Sequence, residues 1–274
     1  MTPDLSFYLS HVRVDLYCPL PDVLRALRAI WSGASVPMVE TTSTAAVEIE
    51  ADAPHRVYCN GDAVDSLDES DQLLPNIEAV LYHLLREWHS ELTLLHAALL
   101  QQGDETFLLT GPSGSGKSSL ALQALRAGWL YATDEITVTD GGCIWGIPRA
   151  VQFDPVPISR ELPAFLADID TDSYRWPHPE AGLLCQPLMT PPENTCMKPA
   201  SLDSVNTIIL DGTADPGLHH VDAIDALKHL HQACFTAPQH DLGSLASRAW
   251  TFNWTDPQSA VNQLQQICCT GDAA

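Results

Sequence analysis

Apolar and polar positions alternate over residues 7–17 and predict a β-strand with a slip or bulge near Ser10. The pattern then changes to helical spacing over residues 21–33, where apolar side chains recur every three or four positions. Because proline is favoured in the first turn of a helix and glycine just beyond its end, Pro21 and Gly33 mark the predicted limits. The chain is therefore expected to open with a strand followed by a helix.

Two short alternating runs, residues 45–50 and 55–60, predict further strands, and the Asn-Gly-Asp sequence at 60–62 predicts a turn. An acidic loop comes next. Apolar positions at helical spacing across residues 73–89 predict a second helix. We therefore expect residues 1–91 to form a small N-terminal α/β module.

The pattern changes after residue 91, where two short apolar runs predict a strand hairpin with a glycine turn. The second strand leads into a glycine-rich sequence, and a short amphipathic helix ending at Gly128 follows. The remaining predicted elements are two strands within 129–149, a proline-rich excursion over 155–200, a strand at 205–211 and a helix at 221–235. Residues 92–274 are therefore expected to form a second, larger domain.

Composition narrows the class of protein. The chain has 274 residues, of which 45% are hydrophobic and 18% charged, so a folded protein is expected. Its formal net charge of -22 repels phosphodiester backbones and argues against nucleic-acid partners. Charged residues interrupt the N-terminal stretch, and no window is apolar for long enough to cross a bilayer, so a cytoplasmic protein without membrane contact is expected. The eight cysteines contain no Cys-x-x-Cys pair, which favours reduced thiols.

Residues 111–118 match the G-x-x-x-x-G-K-[ST] pattern, with an apolar strand before them and a helix after them. The glycines let backbone amides curl round a phosphate, the lysine reaches the terminal phosphates, and the next hydroxyl ligates magnesium. The pattern predicts a site for ATP and Mg²⁺ in which Ser118 contacts the metal. The residues predicted to bind the nucleotide are Gly111, Ser113, Gly114, Ser115, Gly116, Lys117, Ser118 and Ser119.

Two sets of acidic residues compete for the role beside the phosphates. Asp134 and Glu135 follow the strand after the phosphate-loop helix, whereas Asp211 follows the largely apolar run VNTIIL in the manner of a Walker-B strand. Either set could instead be solvated loop carboxylates, since the chain contains 35 acids. The residues alone leave both assignments open.

Phosphoryl transfer also needs cations near the transferred group, and this chain has only 13 lysines and arginines. Lys117 is the first candidate. Arg149 ends a strand of the same core and is predicted to be a second catalytic cation; the alternative is an arginine paired with a nearby carboxylate.

His96, the loop sequence GPSGSGKSS and the following RAGWLYATDE resemble the HPr kinase/phosphorylase superfamily, in which a histidine precedes the loop and an acidic pair follows it. The resemblance implies an α/β phosphate-loop core of the HPr kinase and phosphoenolpyruvate carboxykinase-like type, with the N-terminal module attached. It implies that Asp134 is a general base toward a serine hydroxyl, that Glu135 helps to hold magnesium, and that His96 lies near the terminal phosphate. Residues 92–274 would then be the kinase domain.

The chain is more similar to the kinase-only relatives, including those associated with lasso peptide biosynthesis, because an HPr kinase has two aspartates where this chain has Asp134 and Glu135. The expected function is ATP-dependent phosphorylation of a serine in a peptide or small protein, such as a ribosomally made precursor peptide, and the family relationship implies a possible homo-oligomer. Two alternatives stay open. One is a kinase of a small molecule such as free serine, and the other is a regulatory ATPase in which Asp211 is the Walker-B acid.

Overall fold

The computed structural model describes residues 2–52, 54–67, 73–157, 161–162, 164–169, 175–178, 182–191 and 197–269. The chain divides into two compact units, of which the first comprises residues 1–89 with 149–190 and the second comprises 90–148 with 191–274. The expected division was 1–91 and 92–274. The structure differs because the proline-rich segment packs with the N-terminal residues and so interrupts the second unit.

The first unit contains a five-stranded sheet and two helices. Its N-terminal elements are β1 (Leu5–Leu9), β2 (Val12–Tyr17), α1 (Pro21–Trp31), β3 (Ser43–Ile49), β4 (His55–Cys59), β5 (Asp62–Leu67) and α2 (Leu73–Trp88). The strands lie in chain order across the sheet, and only the β2/β3 pair is parallel. Both predicted helices are confirmed, as are the predicted strands that correspond to β3 and β4.

The strand predicted over residues 7–17 is wrong as a single element, because it is a hairpin of β1 and β2. Leu9 pairs with Val12, and Ser10 has a left-handed backbone with φ of 56°. That conformation lets two residues reverse the chain, so the break in alternation marks a turn rather than a bulge. Strand β5 lies where the sequence predicted only a turn and an acidic loop.

The segment 149–190 adds short strands to the first unit. They are β12 (Val151–Gln152), β13 (Val156–Pro157), β14 (Arg175–His178), β15 (Gly182–Cys185) and β16 (Leu188–Met189). β12 pairs with β16, and β15 lies between β13 and β14. The amide of Ala150 donates to the carbonyl of Ile30 over 2.7 Å, which attaches the start of this segment to α1.

The second unit holds two sheets and four helices in its described residues. Its elements are β6 (Thr93–His96), β7 (Ala98–Gln102), β8 (Glu105–Thr110), α3 (Lys117–Arg126), β9 (Leu130–Thr133), β10 (Ile136–Thr139), β11 (Cys143–Gly146), β17 (Ala200–Ser201), β18 (Val205–Leu210), β19 (Gly217–His220), α4 (Ala223–Ala233), α5 (Gly243–Ser247), β20 (Ala249–Asn253) and α6 (Pro257–Cys269). One sheet has the order β19-β20-β18-β8-β7-β9, and the other has the order β17-β11-β10-β6.

Two predicted strands of this unit are each divided between the two sheets. The run after residue 91 passes from β6 to β7 at Ala97, and the run after residue 129 passes from β9 to β10 at Asp134 and Glu135. The two crossings lie side by side, because the amide of Ala97 donates to the carbonyl of Glu135 over 3.1 Å. The crossing therefore brings two distant stretches of sequence together.

The direction of the strands decides which ends share an edge. β8, β18 and β20 are mutually parallel, and β9 has the same direction because both β8 and β9 are antiparallel to β7. The loops that follow β8, β9, β18 and β20 consequently leave from one edge of the six-stranded sheet, which is where ligands bind in open α/β sheets. No helix in the described ranges is long and apolar enough to cross a membrane.

Candidate active site

The glycine-rich loop, residues 111–116, connects β8 to α3. Gly111, Gly114 and Gly116 all have positive φ, of 148°, 77° and 92°, which favours glycine. Space also requires glycine at the first of these positions, since a Cβ on Gly111 would lie 2.6 Å from the carbonyl oxygen of Leu210. The sequence pattern and the backbone therefore agree on a tightly curled loop that ends at a helix N-terminus, the geometry suited to a phosphate.

The Lys117 side chain lies back across this loop. Its ammonium donates to the carbonyl of Gly111 over 2.8 Å and to the carbonyl of Pro112 over 3.2 Å. Burial lowers the Lys117 pKa, while the charges of Glu135 and Asp134 act in the opposite direction. The ammonium thus lies against the loop, within electrostatic reach of the acidic pair, where it could contact the terminal phosphates of a nucleotide.

The hydroxyls of the loop suit an anionic ligand. The Ser115 Oγ is buried and has no hydrogen-bond partner among the described residues, so it is available inside the loop. Ser118 and Ser119 lie in the first turn of α3, where backbone amides have no acceptor within the helix. Magnesium is commonly held by a hydroxyl or carboxylate of the protein together with substrate phosphates, and Ser118 and Glu135 carry donors of these two types.

Asp134 is buried at the end of β9 and accepts a hydrogen bond over 3.0 Å from the hydroxyl of Tyr131, a residue of the same strand. Burial raises the Tyr131 pKa far above its ordinary value, and the nearby Asp134 charge raises it further. The phenol is therefore protonated throughout the neutral range and acts as a donor to the carboxylate. This contact holds one oxygen of Asp134 in a defined orientation.

The turn that carries the acidic pair is fixed by Thr133. Its Oγ1 accepts hydrogen bonds from the amides of Glu135 and Ile136, over 3.2 and 3.1 Å. Such a local side-chain bond competes with the strand ladder and allows the backbone to change direction. β9 therefore ends here, and the two carboxylates lie at the edge of the sheet that also carries the glycine-rich loop.

His96 ends β6 beside this turn, paired in register with Ile136. Its ring packs at 5.8 Å from that of Phe235. Burial lowers the His96 pKa, and the positive charge of Lys117 lowers it further. His96 is therefore a neutral imidazole at neutral pH, in the electrostatic reach of the ammonium of the loop.

Asp211, the alternative acid, ends β18 next to the loop but is engaged in its own turn. Its Oδ1 accepts from the amide of Thr213 over 2.9 Å and from the Thr213 hydroxyl over 2.7 Å. These hydrogen bonds lower the Asp211 pKa. The carboxylates that act on the pKa of Lys117 are those of Glu135 and Asp134. The charges that act on Lys117 thus come from the Asp134 and Glu135 pair, and the assignment of the chemical role to this pair stays a prediction.

Arg149 has structural partners of its own, and its predicted catalytic role stays a prediction. It belongs to the first unit, is 1% exposed and forms an ion pair of 2.8 Å with Glu78. Its guanidinium carbon lies 5.3 Å from the centre of the Trp31 ring and 5.5 Å from that of Tyr82. A charge held by a buried carboxylate and two aromatic faces has a structural explanation, namely the alternative of a paired arginine.

Two residues of the site had no part in the sequence-based prediction. Tyr131 could have been noticed as a polar aromatic three positions before Asp134, but nothing local shows that its hydroxyl turns toward the acid. Trp254 directly follows β20 and packs on Gly116, where a Cβ would lie 2.4 Å from the indole Cζ2. The alternating sequence AWTFN could have predicted strand β20, but not the contact of the following Trp254 with Gly116.

Comparisons with known proteins find distant likeness among solved structures. No protein-family model matches the chain, and no curated protein matches it. Among solved structures, the HPr(Ser) kinase/phosphatase from Coxiella burnetii is similar over 65% of this chain and 92% of its own, with 12% sequence identity and a TM-score of 0.30. The assignment of the site therefore rests on the residues of this chain.

Proposed function

We propose that this protein is an ATP-dependent kinase that transfers the γ-phosphoryl group to a serine hydroxyl of a peptide or small protein. The observation that supports it best is the arrangement around Lys117. Its ammonium spans the glycine-rich loop and is influenced by the charges of Glu135 and Asp134, which lie at the same edge of the sheet. Phosphoryl transfer needs a group that positions the phosphates and an acid that can accept the proton of the attacking hydroxyl, and the loop and the buried Asp134 could provide these two functions.

In the proposed reaction the acceptor oxygen forms a bond to the γ-phosphorus as the bond between that phosphorus and the β,γ-bridging oxygen breaks. The hydroxyl proton passes to Asp134, and ADP leaves. Lys117 and the amides of the loop offset the negative charge on the phosphates. Tyr131 keeps Asp134 oriented through its hydrogen bond. Magnesium, held through Ser118 and Glu135, would neutralise phosphate charge.

The choice of a kinase over a regulatory ATPase rests on the two acids. A switch ATPase of the Walker-B type would use Asp211, whose Oδ1 is held in its own turn by Thr213, whereas the charges that act on Lys117 are those of Glu135 and Asp134. Asp134 is buried and held by a protonated phenol, as a positioned proton acceptor should be. The peptide acceptor is supported by the resemblance of the loop and the acidic pair to kinase-only relatives of the HPr kinases.

The test is incubation of the purified protein with Mg²⁺ and ATP radiolabelled on its γ-phosphate, in three parallel reactions. One contains serine-bearing peptides encoded by neighbouring genes, one contains free serine and one contains only water. The proposal predicts label on a peptide serine, and none in a Lys117→Ala control. Label on free serine would point to a small-molecule kinase, whereas phosphate released equally in all three reactions would point to an ATPase.

A further inference from the structure

The edge of the six-stranded sheet that carries the glycine-rich loop also carries Trp254. This residue follows the last residue of β20, and its side chain is half-buried. Its indole lies against Gly116, so closely that a Cβ there would be 2.4 Å from Cζ2 and 3.1 Å from Cη2. The chain therefore places a partly exposed aromatic ring in contact with the last residue of the loop.

The order of the strands separates this ring from the acidic pair. β8, which leads into the loop, is flanked by β7 and then β9 on one side and by β18 and then β20 on the other. Asp134 follows β9 and Trp254 follows β20, so the two lie on opposite sides of the loop along the sheet edge. A nucleotide whose terminal phosphate faces Asp134 has its base at the other end of the molecule, on the side of Trp254.

From this placement we infer that Trp254 stacks on the base of the bound purine nucleotide. The inference rests on the proposed function, because it takes the loop as the site of the phosphates. An indole face provides a large apolar surface on which a purine can stack whatever its exocyclic groups are. Trp254 would thus contribute affinity for the nucleoside without selecting adenine over guanine.

A purely structural role makes a different prediction. If Trp254 served only to support Gly116, its loss would disturb the loop and weaken every phosphate ligand equally. If it stacks on the base, its loss weakens nucleotides and leaves ligands without a base unaffected. Mg-tripolyphosphate provides the phosphate chain alone and Mg-ADP provides the base, so this pair of probes separates the two roles.

The experiment measures the affinities of the full chain for Mg-ADP and Mg-tripolyphosphate by calorimetry, in the wild type and in Trp254→Leu. We expect Trp254→Leu to weaken Mg-ADP binding about tenfold or more while Mg-tripolyphosphate binding changes less than about twofold. Trp254→Phe, which keeps an aromatic face, should retain most of the nucleotide affinity. Trp254→Phe also tests the inference if the leucine variant fails to fold. A ring that only supports Gly116 would change the affinities for Mg-ADP and Mg-tripolyphosphate by the same factor, whereas a stacking ring would change only the affinity for Mg-ADP.

Trp250 provides a matched control on the same strand. Its ring meets that of His220 at 6.0 Å, edge to face, away from the loop, and Trp250→Phe should leave both affinities unchanged. Equal losses for both probes in Trp254→Leu, or no loss for either, would overturn base stacking while leaving the proposed function intact. A wild-type protein that binds neither probe would instead refute the proposed function, and the base site with it.

Discussion

The Tyr131 hydroxyl donates to Oδ1 of Asp134 over 3.0 Å, and both side chains are buried at the end of one strand. In this hydrogen bond the phenol is the donor and the carboxylate the acceptor, because burial raises the Tyr131 pKa and keeps the phenol protonated. A donor favours the charged form of the carboxylate, the form that can accept a proton from an acceptor hydroxyl. Tyr131 thus acts on the proposed reaction through Asp134.

Tyr131→Phe removes the hydroxyl and keeps the ring. We expect transfer activity to fall about fivefold, equivalent to the net value of about 1 kcal/mol for one hydrogen bond. Without the donor the carboxylate is protonated more readily, so the acidic limb of the pH-rate profile should move to higher pH. Tyr82→Phe is the matched control, since the Tyr82 hydroxyl has no hydrogen-bond partner among the described residues. An unshifted acidic limb in Tyr131→Phe would contradict the role.

The His96 ring reports the charge of Lys117 without requiring activity. Because burial and that charge both lower the His96 pKa, Lys117→Gln should raise it toward the ordinary value. The midpoint is measured by NMR titration of the ring. Lys228→Gln removes a charge from an exposed lysine paired with Asp225 and should leave the midpoint in place. The same His96 pKa in the wild type and in Lys117→Gln would show that the charge of Lys117 does not act on the His96 ring.

Arg149 is expected to matter for stability. Arg149→Met leaves Glu78 buried without its ion-pair partner, and removing one member of such a pair costs about 3–5 kcal/mol. Burial already raises the Glu78 pKa, and Arg149 is the main group opposing that rise. The loss is measured by chemical denaturation, and the double variant with Glu78→Gln should recover part of it. A fully stable Arg149→Met protein that had lost transfer activity would contradict this structural role and support the catalytic role predicted from the sequence.

The sequence predicts the glycine-rich loop well because its chemistry is local. A strand, three glycines with positive φ and the start of a helix all fall within residues 105–126. The conformation of each can therefore be predicted from residues close to it in the sequence. The pair of Asp134 and Glu135 is also readable, as polar residues that interrupt an apolar run. What the sequence does not show is that β9 and β10 lie in different sheets. Both strands are largely buried, so the sequence on the two sides of the acidic pair has the same character and does not reveal the change of sheet.

Other features depend on partners far away in the sequence. The ion pair of Arg149 joins it to Glu78, which lies 71 positions earlier, and no local pattern links the two. Trp254 is adjacent to Gly116 only because β20 joins the sheet two strands from β8. Burial of a charge and contact across a sheet are properties of the folded chain. The sequence therefore does not predict the partners of these two residues.

The most direct test of the proposed kinase is a comparison of Asp134→Asn with Asp211→Asn. For each variant, Mg-ATP affinity is measured by calorimetry and phosphoryl transfer by label from γ-labelled ATP. If Asp134 is the general base, Asp134→Asn should bind Mg-ATP nearly as wild type does and lose about a hundred- to ten-thousandfold in transfer. Asp211→Asn should lose far less. Full transfer activity in Asp134→Asn, with the large loss in Asp211→Asn instead, would contradict the account.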